Sequence, residues 1–326
     1  MRYLVTGGTG FIGSHLVDKL LREGHKVRVS IRKESSLKSL PVNDSNLELF
    51  LCNFLDREQL RELCSNIDTV FHLAAVTKTL NKEEYFDINV NLSKEIYMAA
   101  GAARNVSRFF FISSQAAKGP SVSKVGLKEN EFTEPVSVYG MSKRRAEEEL
   151  LKLSGPDKVF VYLPPVYGPG DRDFCKVFKI ASTGFFLHAG LGKHHFNIIY
   201  VKDLADILYH VSQSNKVGDF AVNISDLREC TWQFFFQTLS KIFNKKIRLI
   251  YLPVPFLSFV TKVLEFFYMF SKTPPVFNCE KIKEAKERFW LLNCNEQLNN
   301  HGITAKYSLE EGLRETYKWY LEKGWL

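Results

Sequence analysis

Tyr139-Gly140-Met141-Ser142-Lys143 carries a phenol and an ammonium four residues apart. On a helix that spacing puts both groups on one face. A phenol with a pKa of about 10 exchanges protons poorly at neutral pH. A neighbouring ammonium favours the phenolate and lowers that pKa, which makes Tyr139 a workable proton donor or acceptor. Ser113-Ser114 follows the run Phe109-Phe110-Phe111-Ile112, so two hydroxyls are expected just past the end of a strand. A Tyr-x-x-x-Lys pair alone recurs by chance on helix surfaces. It gains weight here from those serines and from a glycine loop at the start of the chain.

That loop is Thr6-Gly7-Gly8-Thr9-Gly10-Phe11-Ile12-Gly13, between an apolar strand and an amphipathic helix. Glycines at 7, 10 and 13 give a tight turn, close backbone approach to a pyrophosphate, and close helix–strand packing. The ligand's charge then sits at the positive end of the helix. Gly7, Thr9, Gly10, Phe11, Ile12 and Gly13 are thus the expected cradle of a dinucleotide. Where the second strand ends, NAD-binding versions carry an acid for the ribose 2′-hydroxyl. Lys26-Val27-Arg28-Val29-Ser30-Ile31 ends instead on Ile31, with Arg32, Lys33 and Ser35 following. Two cations there suit a 2′-phosphate. NADP(H) is favoured, and NAD(H) is kept as the alternative.

These residues need a scaffold, and the first half supplies an alternating one. Strand patterns at Tyr3–Val5, Lys26–Ile31, Leu47–Leu51, Thr69–Leu73, Phe109–Ile112 and Val159–Leu163 are separated by helical ones at Phe11–Glu23, Arg57–Cys64, Asp87–Ala103 and Val138–Leu153. Repeated βαβ units predict an α/β fold: a Rossmann, doubly wound parallel sheet with helices on both faces. Pro164-Pro165 and Gly168-Pro169-Gly170 break this pattern. Residues 1–165 with about 197–226 are expected to form the nucleotide domain. About 166–196 with 227–326 are expected to form a smaller, mostly helical substrate lobe, ending in the helix Glu311–Leu321.

The 326 residues are 45% hydrophobic and 25% charged, a globular composition. The net charge of +8 is spread along the chain with no long basic block, so a nucleic-acid arm is not expected. The six cysteines show no Cys-x-x-Cys pair or zinc-type His spacing, so reduced structural thiols and no metal are expected. Met1-Arg2 runs straight into a strand without an apolar leader, which predicts a cytoplasmic enzyme.

With these motifs together, the chain resembles the extended short-chain dehydrogenase/reductases of the NAD-dependent epimerase/dehydratase family over nearly its whole length. Thr6–Gly13 looks like their phosphate fingerprint, His72-Leu73-Ala74-Ala75 like their fourth-strand motif, and Asn89-Val90 like their structural element opening a helix. Ser114, Tyr139 and Lys143 match their catalytic triad. Pro164-Pro165-Val166-Tyr167-Gly168-Pro169-Gly170-Asp171 resembles the loop beside the nicotinamide, and Tyr200–Ala205 a later signature. Leu309–Leu313 and the tail Trp319 to Leu326 resemble the ending of many sugar-nucleotide epimerases.

The resemblance implies that Tyr139 exchanges a proton with the substrate oxygen while hydride moves to or from the nicotinamide. It implies that Lys143 binds the ribose and tunes Tyr139, that Ser114 holds the reacting oxygen, and that Asn89 supports the proton path. Leu73, Ala74, Ala75, Pro164 and Val166 join the cofactor contacts by the same implication. Asn53 stands where the family often has an adenine-contacting Asp, and Phe54 follows. Gln115-Ala116 replaces the Asp-Glu pair of sugar-nucleotide dehydratases, which argues against elimination chemistry.

Two enzymatic readings follow. The leading one is an epimerase or oxidoreductase acting on a secondary alcohol or ketone of a nucleotide-activated sugar. The alternative is an NADP(H)-dependent ketone reductase or hydroxysteroid-type dehydrogenase with an apolar substrate, similar to dihydroflavonol reductase and hydroxysteroid dehydrogenase. A non-catalytic NADP-sensing protein is the reading from another class; retention of Ser114, Tyr139 and Lys143 together weighs against it. The aromatic run 256–270, with Lys262 and Glu265, is too short for a membrane span. It reads as a packed helix, or as a pocket wall or peripheral membrane contact. Lys193, His194 and His195 read as solvated loop residues. A homodimer is the expectation the resemblance carries.

Overall fold

In a computed structural model, β1 (Arg2–Thr6) runs into the glycine loop and α1 (Phe11–Arg22) leads out of it. The structure describes residues 1–326 except 80, 191–192, 227, 258–260, 262–278 and 295–303. The first half continues through β2 (Lys26–Ile31), β3 (Leu47–Leu51), α2 (Arg57–Cys64), β4 (Thr69–His72), α3 (Lys82–Phe86), α4 (Ser93–Ala102), β5 (Arg108–Ile112), α5 (Gln115–Lys118), α6 (Val138–Leu151) and β6 (Asp157–Tyr162). Next come β7 (Val166–Tyr167), α7 (Arg172–Ser182), β8 (Phe185–Ala189), β9 (His195–Phe196), β10 (Ile199–Tyr200), α8 (Val201–Ser212) and β11 (Phe220–Asn223). The chain closes with β12 (Cys230–Thr231), α9 (Trp232–Phe243), β13 (Arg248–Leu252), α10 (Cys279–Lys286), β14 (Phe289–Trp290) and α11 (Leu309–Glu322).

Seven strands form one parallel sheet in the order β11-β6-β5-β4-β1-β2-β3. The order reverses between β1 and β4, and the crevice at such a reversal is where open α/β sheets bind ligands. A parallel sheet must hide both faces. Here α1 and α8 cover one with Leu16, Leu20, Leu204 and Leu208, while α2, α4 and α6 cover the other with Leu60, Ile96 and Leu150. That is why Phe109, Phe110 and Phe111 are all fully buried despite pointing alternately to opposite sides.

A third apolar cluster, centred on Phe178, Phe196, Phe235, Leu313 and Tyr320, joins α7, α9 and α11. Ser308 and Glu311 start α11 with a reciprocal capping box. Tyr320 then donates its hydroxyl to the Asp171 carbonyl at 2.6 Å, which fixes the loop after β6 from the carboxyl end of the chain.

The lobe is mostly helical as expected, in α7, α9, α10 and α11, and it also carries short strands: β12 and β14 flank β9, and β13 pairs in parallel with β8 over five residues. The aromatic runs there disguised those strands, because an apolar run has no period that separates strand from buried helix. One expectation is corrected: Asn89-Val90 does not open a helix. It lies inside a π-helical turn, Asp87–Leu92, that joins α3 to α4. The run 256–270 falls outside the described residues except at 256, 257 and 261.

Candidate active site

The carboxyl edge of the sheet carries a strip of partly exposed residues between buried neighbours: Thr9, Phe11, Ile12, Leu73, Ala74, Ala75, Ser114, Tyr139 and Val166. These belong to five separate stretches of chain, which the sheet topology brings to the carboxyl ends of β1, β4, β5 and β6.

At the glycine loop, Gly7 has φ +69°, and a Cβ there would lie 2.8 Å from the Ala74 nitrogen. A Cβ at Gly13 would lie 2.3 Å from the Gly7 carbonyl oxygen and 2.7 Å from the Gly8 Cα. Only hydrogen fits at that helix–strand contact. α1 begins at Gly10 with no side-chain cap and no acid in its first turn, so its leading N–H groups are left for a ligand. The cradle fits a dinucleotide pyrophosphate. His15 ties α1 to the Pro169 carbonyl at 2.8 Å, which brings the loop after β6 over this end of the cleft.

Arg32 and Lys33 follow β2 and are exposed, and neither side chain makes an ion pair among the described residues. Arg28, on the same strand, is instead structural. Its buried guanidinium donates to the carbonyls of Glu62, Leu63 and Ser65 at the end of α2 and pairs with Glu48. Asn53 is exposed, and its side-chain oxygen already accepts from the Leu55 N–H at 3.1 Å. Phe54 packs against the core.

At the other end, Ser137 caps α6 through the Gly140 N–H. A Cβ at Gly140 would lie 2.3 Å from the Ala116 carbonyl oxygen. This glycine therefore allows α6 to press against α5, and the Tyr139 phenol hydrogen-bonds Ser114. The phenol does not behave as the spacing alone suggests. Burial of its oxygen dominates and pushes it up to about 12 against the lowering Ser114 bond, with Glu284 of α10 raising it further. The Lys143 ammonium instead lies 3.8 Å from the Phe111 ring centre. Burial pulls it down to about 7, while Glu147 acts to raise it.

Glu147 was not singled out from the sequence. It sits one turn beyond Lys143, fully enclosed, accepting from the Ser113 hydroxyl and from the Tyr162 hydroxyl at 2.9 Å. Burial pushes it up to about 7. In Glu147-Glu148-Glu149 it reads as part of a solvated acidic run. Only its place at the third step of the Tyr139–Lys143–Glu147 stripe marks it as inward-facing.

Asn89 is fully buried with its amide fully used. Its oxygen accepts from the Val76 N–H at 2.8 Å, and its nitrogen donates to the Val76 carbonyl and to Ser142 at 2.9 Å. It belongs to a hydrogen-bonded chain across the sheet edge. The Ser93 hydroxyl donates to the Asn89 carbonyl and therefore accepts from His72 Nε2–H, which leaves His72 Nδ1 to accept from Thr6. Burial holds His72 neutral, down at about 3. Glycine loop, fourth strand and α6 are thus locked to one another by Thr6, His72, Ser93, Asn89 and Ser142. Gln115, beside Ser114, is buried with neither polar atom of its amide paired.

His195 is corrected: it is a buried residue of β9 paired with Glu229, not a solvated loop residue, whereas Lys193 is exposed. The five described free cysteines are buried, and no metal-ligating cluster occurs among the described residues.

A model of the NAD dependent epimerase/dehydratase family matches residues 3–225. The chain is 28% identical to a Caulobacter vibrioides protein named ceramide reductase, over 99% of this chain and 95% of that one. It is 26% identical to a Bacillus cytotoxicus UDP-N-acetyl-alpha-D-glucosaminuronate decarboxylase, over 98% of each. Among solved structures it is similar to the UDP-N-acetylglucosamine 4-epimerase of Methanobrevibacter ruminantium, solved with UDP-N-acetylmuramic acid. The TM-score is 0.77 at 25% identity, over 99% of this chain and 98% of that one.

Proposed function

The chain belongs to the NAD dependent epimerase/dehydratase family, and from that premise we propose that it is an NADP(H)-preferring reductase of a ketone in a largely apolar substrate. The observation that carries the cofactor preference is the end of β2, where Ile31 replaces the ribose-binding acid and the cations of Arg32 and Lys33 make no ion pair among the described residues. The apolar substrate is supported by the relative named ceramide reductase, which matches from end to end.

The residues divide the work as follows. Gly7, Gly10, Gly13 and the start of α1 hold the pyrophosphate, and Arg32 and Lys33 hold the 2′-phosphate. The bound nicotinamide supplies the hydride. Tyr139 gives its proton to the substrate oxygen; a phenol held near 12 keeps that proton at neutral pH, which suits reduction. Ser114 hydrogen-bonds the same oxygen. Lys143 meets the ribose and places positive charge near the tyrosinate left behind. Asn89 is a positioning residue that anchors α6 through Ser142.

Calorimetric titration should show exchangeable binding that is tighter for NADPH than for NADH. Arg32→Glu should weaken NADPH binding by about one charge-assisted hydrogen bond, roughly tenfold to a hundredfold, and leave NADH nearly unchanged. Equal loss for both cofactors would remove the 2′-phosphate assignment. The second reading, epimerisation of a nucleotide-activated sugar, is favoured by the likeness to the Methanobrevibacter ruminantium epimerase. It requires tightly retained NAD on the purified protein, and that result would replace the first reading.

Glu147 is a positioning residue in this scheme. Its carboxylate is the one group that raises Lys143 against burial, and Tyr162, Lys118, Arg144 and His72 are the other ionisable groups around the pair. Glu147→Gln keeps the side chain's shape but removes that support, so Lys143 should lose its proton at lower pH. The alkaline limb of the pH–rate profile should then move toward acid, with Glu147→Asp restoring part of the shift. A uniform loss of rate with an unmoved profile would make the role purely structural.

A further inference from the structure

The net charge of this protein is unevenly placed in space, although no basic run is visible along the chain. Two stretches contain no acid at all: 174–202, with Lys176, Lys179, Lys193 and Lys202, and 230–264, with Lys241, Lys245, Lys246, Arg248 and Lys262. They meet as the parallel pair β8 and β13, in the register Phe185↔Arg248, Leu187↔Ile250.

Partners in register share a face. Phe186 and Leu249 point inward to the lobe's core. Phe185 (49% exposed), Leu187 (50%) and Ile250 (41%) point outward together with Arg248. Phe256, just beyond β13, is 55% exposed, and Ile180 on α7 is 37% exposed. Lys179 on α7 and Lys245 and Lys246 before β13 form the rim, with Lys245 donating to the Ser182 carbonyl at 2.6 Å. Lys179, Lys246 and Arg248 make no ion pair among the described residues. An apolar patch on a small sheet, with a cationic rim on α7 and before β13 among the described residues, is not the scattered exposure of an ordinary surface.

We infer that this β8–β13 face docks the protein on an anionic lipid surface, with Phe185, Leu187 and Ile250 entering the headgroup layer and Lys179, Lys246 and Arg248 meeting lipid phosphates. Charge decides the occupant. A second copy seated by two-fold symmetry would set these cations against themselves, whereas an anionic bilayer supplies both the apolar layer and the opposite charge. Docking is peripheral, since among the described residues no helix is long and apolar enough to cross a membrane. The inference does not depend on which substrate or cofactor the cleft takes.

The test is flotation of the full chain with vesicles of phosphatidylcholine alone and of phosphatidylcholine with phosphatidylglycerol. The protein should float with the anionic vesicles only, and salt should release it. Each basic residue near such a surface contributes about fivefold to partitioning, so Lys246→Gln with Arg248→Gln should weaken it about 25-fold. Leu187→Ser with Ile250→Ser should weaken it by about tenfold or more. Both pairs replace exposed side chains, and an unchanged melting temperature and circular dichroism spectrum certify the fold. The inference is overturned by no flotation, by equal flotation with neutral vesicles, or by variants that float like the parent. Capture by duplex DNA without vesicle binding would assign the face to a different polyanion and overturn it as well.

Discussion

Turnover by Tyr139→Phe is expected to fall by about 10²–10⁴-fold, the range a positioned general acid contributes, with NADPH affinity little changed. The substitution removes one oxygen and keeps the ring, so the contact with the Tyr85 ring, at 6.3 Å between centres, is retained. What is lost is the proton that must reach the substrate oxygen, and the hydrogen bond to Ser114. Single-turnover rates with bound NADPH separate this from a binding defect. If the variant kept more than a tenth of the parental rate, another group would be delivering the proton and Tyr139 would leave the scheme. Ser114→Ala should act on the same step with a smaller loss, because water can replace a donor hydroxyl at a partly exposed position better than it can replace the acid itself.

Gly13→Ala should disable the cofactor site from the opposite end of the cleft. The new methyl would meet backbone, with the Gly7 oxygen at 2.3 Å and the Gly8 Cα at 2.7 Å, so no side chain can swing aside. The start of α1 must move away from the loop, at a cost of about 1–3 kcal/mol or more in stability. NADPH affinity should fall at least about tenfold, as for one charge-assisted hydrogen bond lost. Gly101→Ala is the control: its nearest neighbour is 3.6 Å away and it lies within α4, so it should be neutral or stabilising by about 0.5–1 kcal/mol. Thermal melting with and without NADPH distinguishes the two. The parent and Gly101→Ala should gain the same ligand-dependent rise, and Gly13→Ala should gain less. An undiminished rise in Gly13→Ala would mean that the helix start does not hold the phosphates.

The legibility of this protein followed the range of the physics involved. Periodicity and glycine spacing are local, so β2, β3 and α2 were placed to the residue, and the Rossmann sheet and its glycine turn were legible in the sequence. Tyr139 and Lys143 were visible because four residues on a helix fix a shared face. Burial, however, is a property of the assembled chain. It turned Glu147 from one acid in a run of three into the enclosed neighbour of Lys143, and it lifted the Tyr139 phenol that an adjacent ammonium alone would have lowered. It also made His195 a core residue rather than a solvated loop residue. The β8–β13 pair and its apolar face with neighbouring cations could not be seen in sequence, because residues more than sixty positions apart must first be brought into register before their charges add.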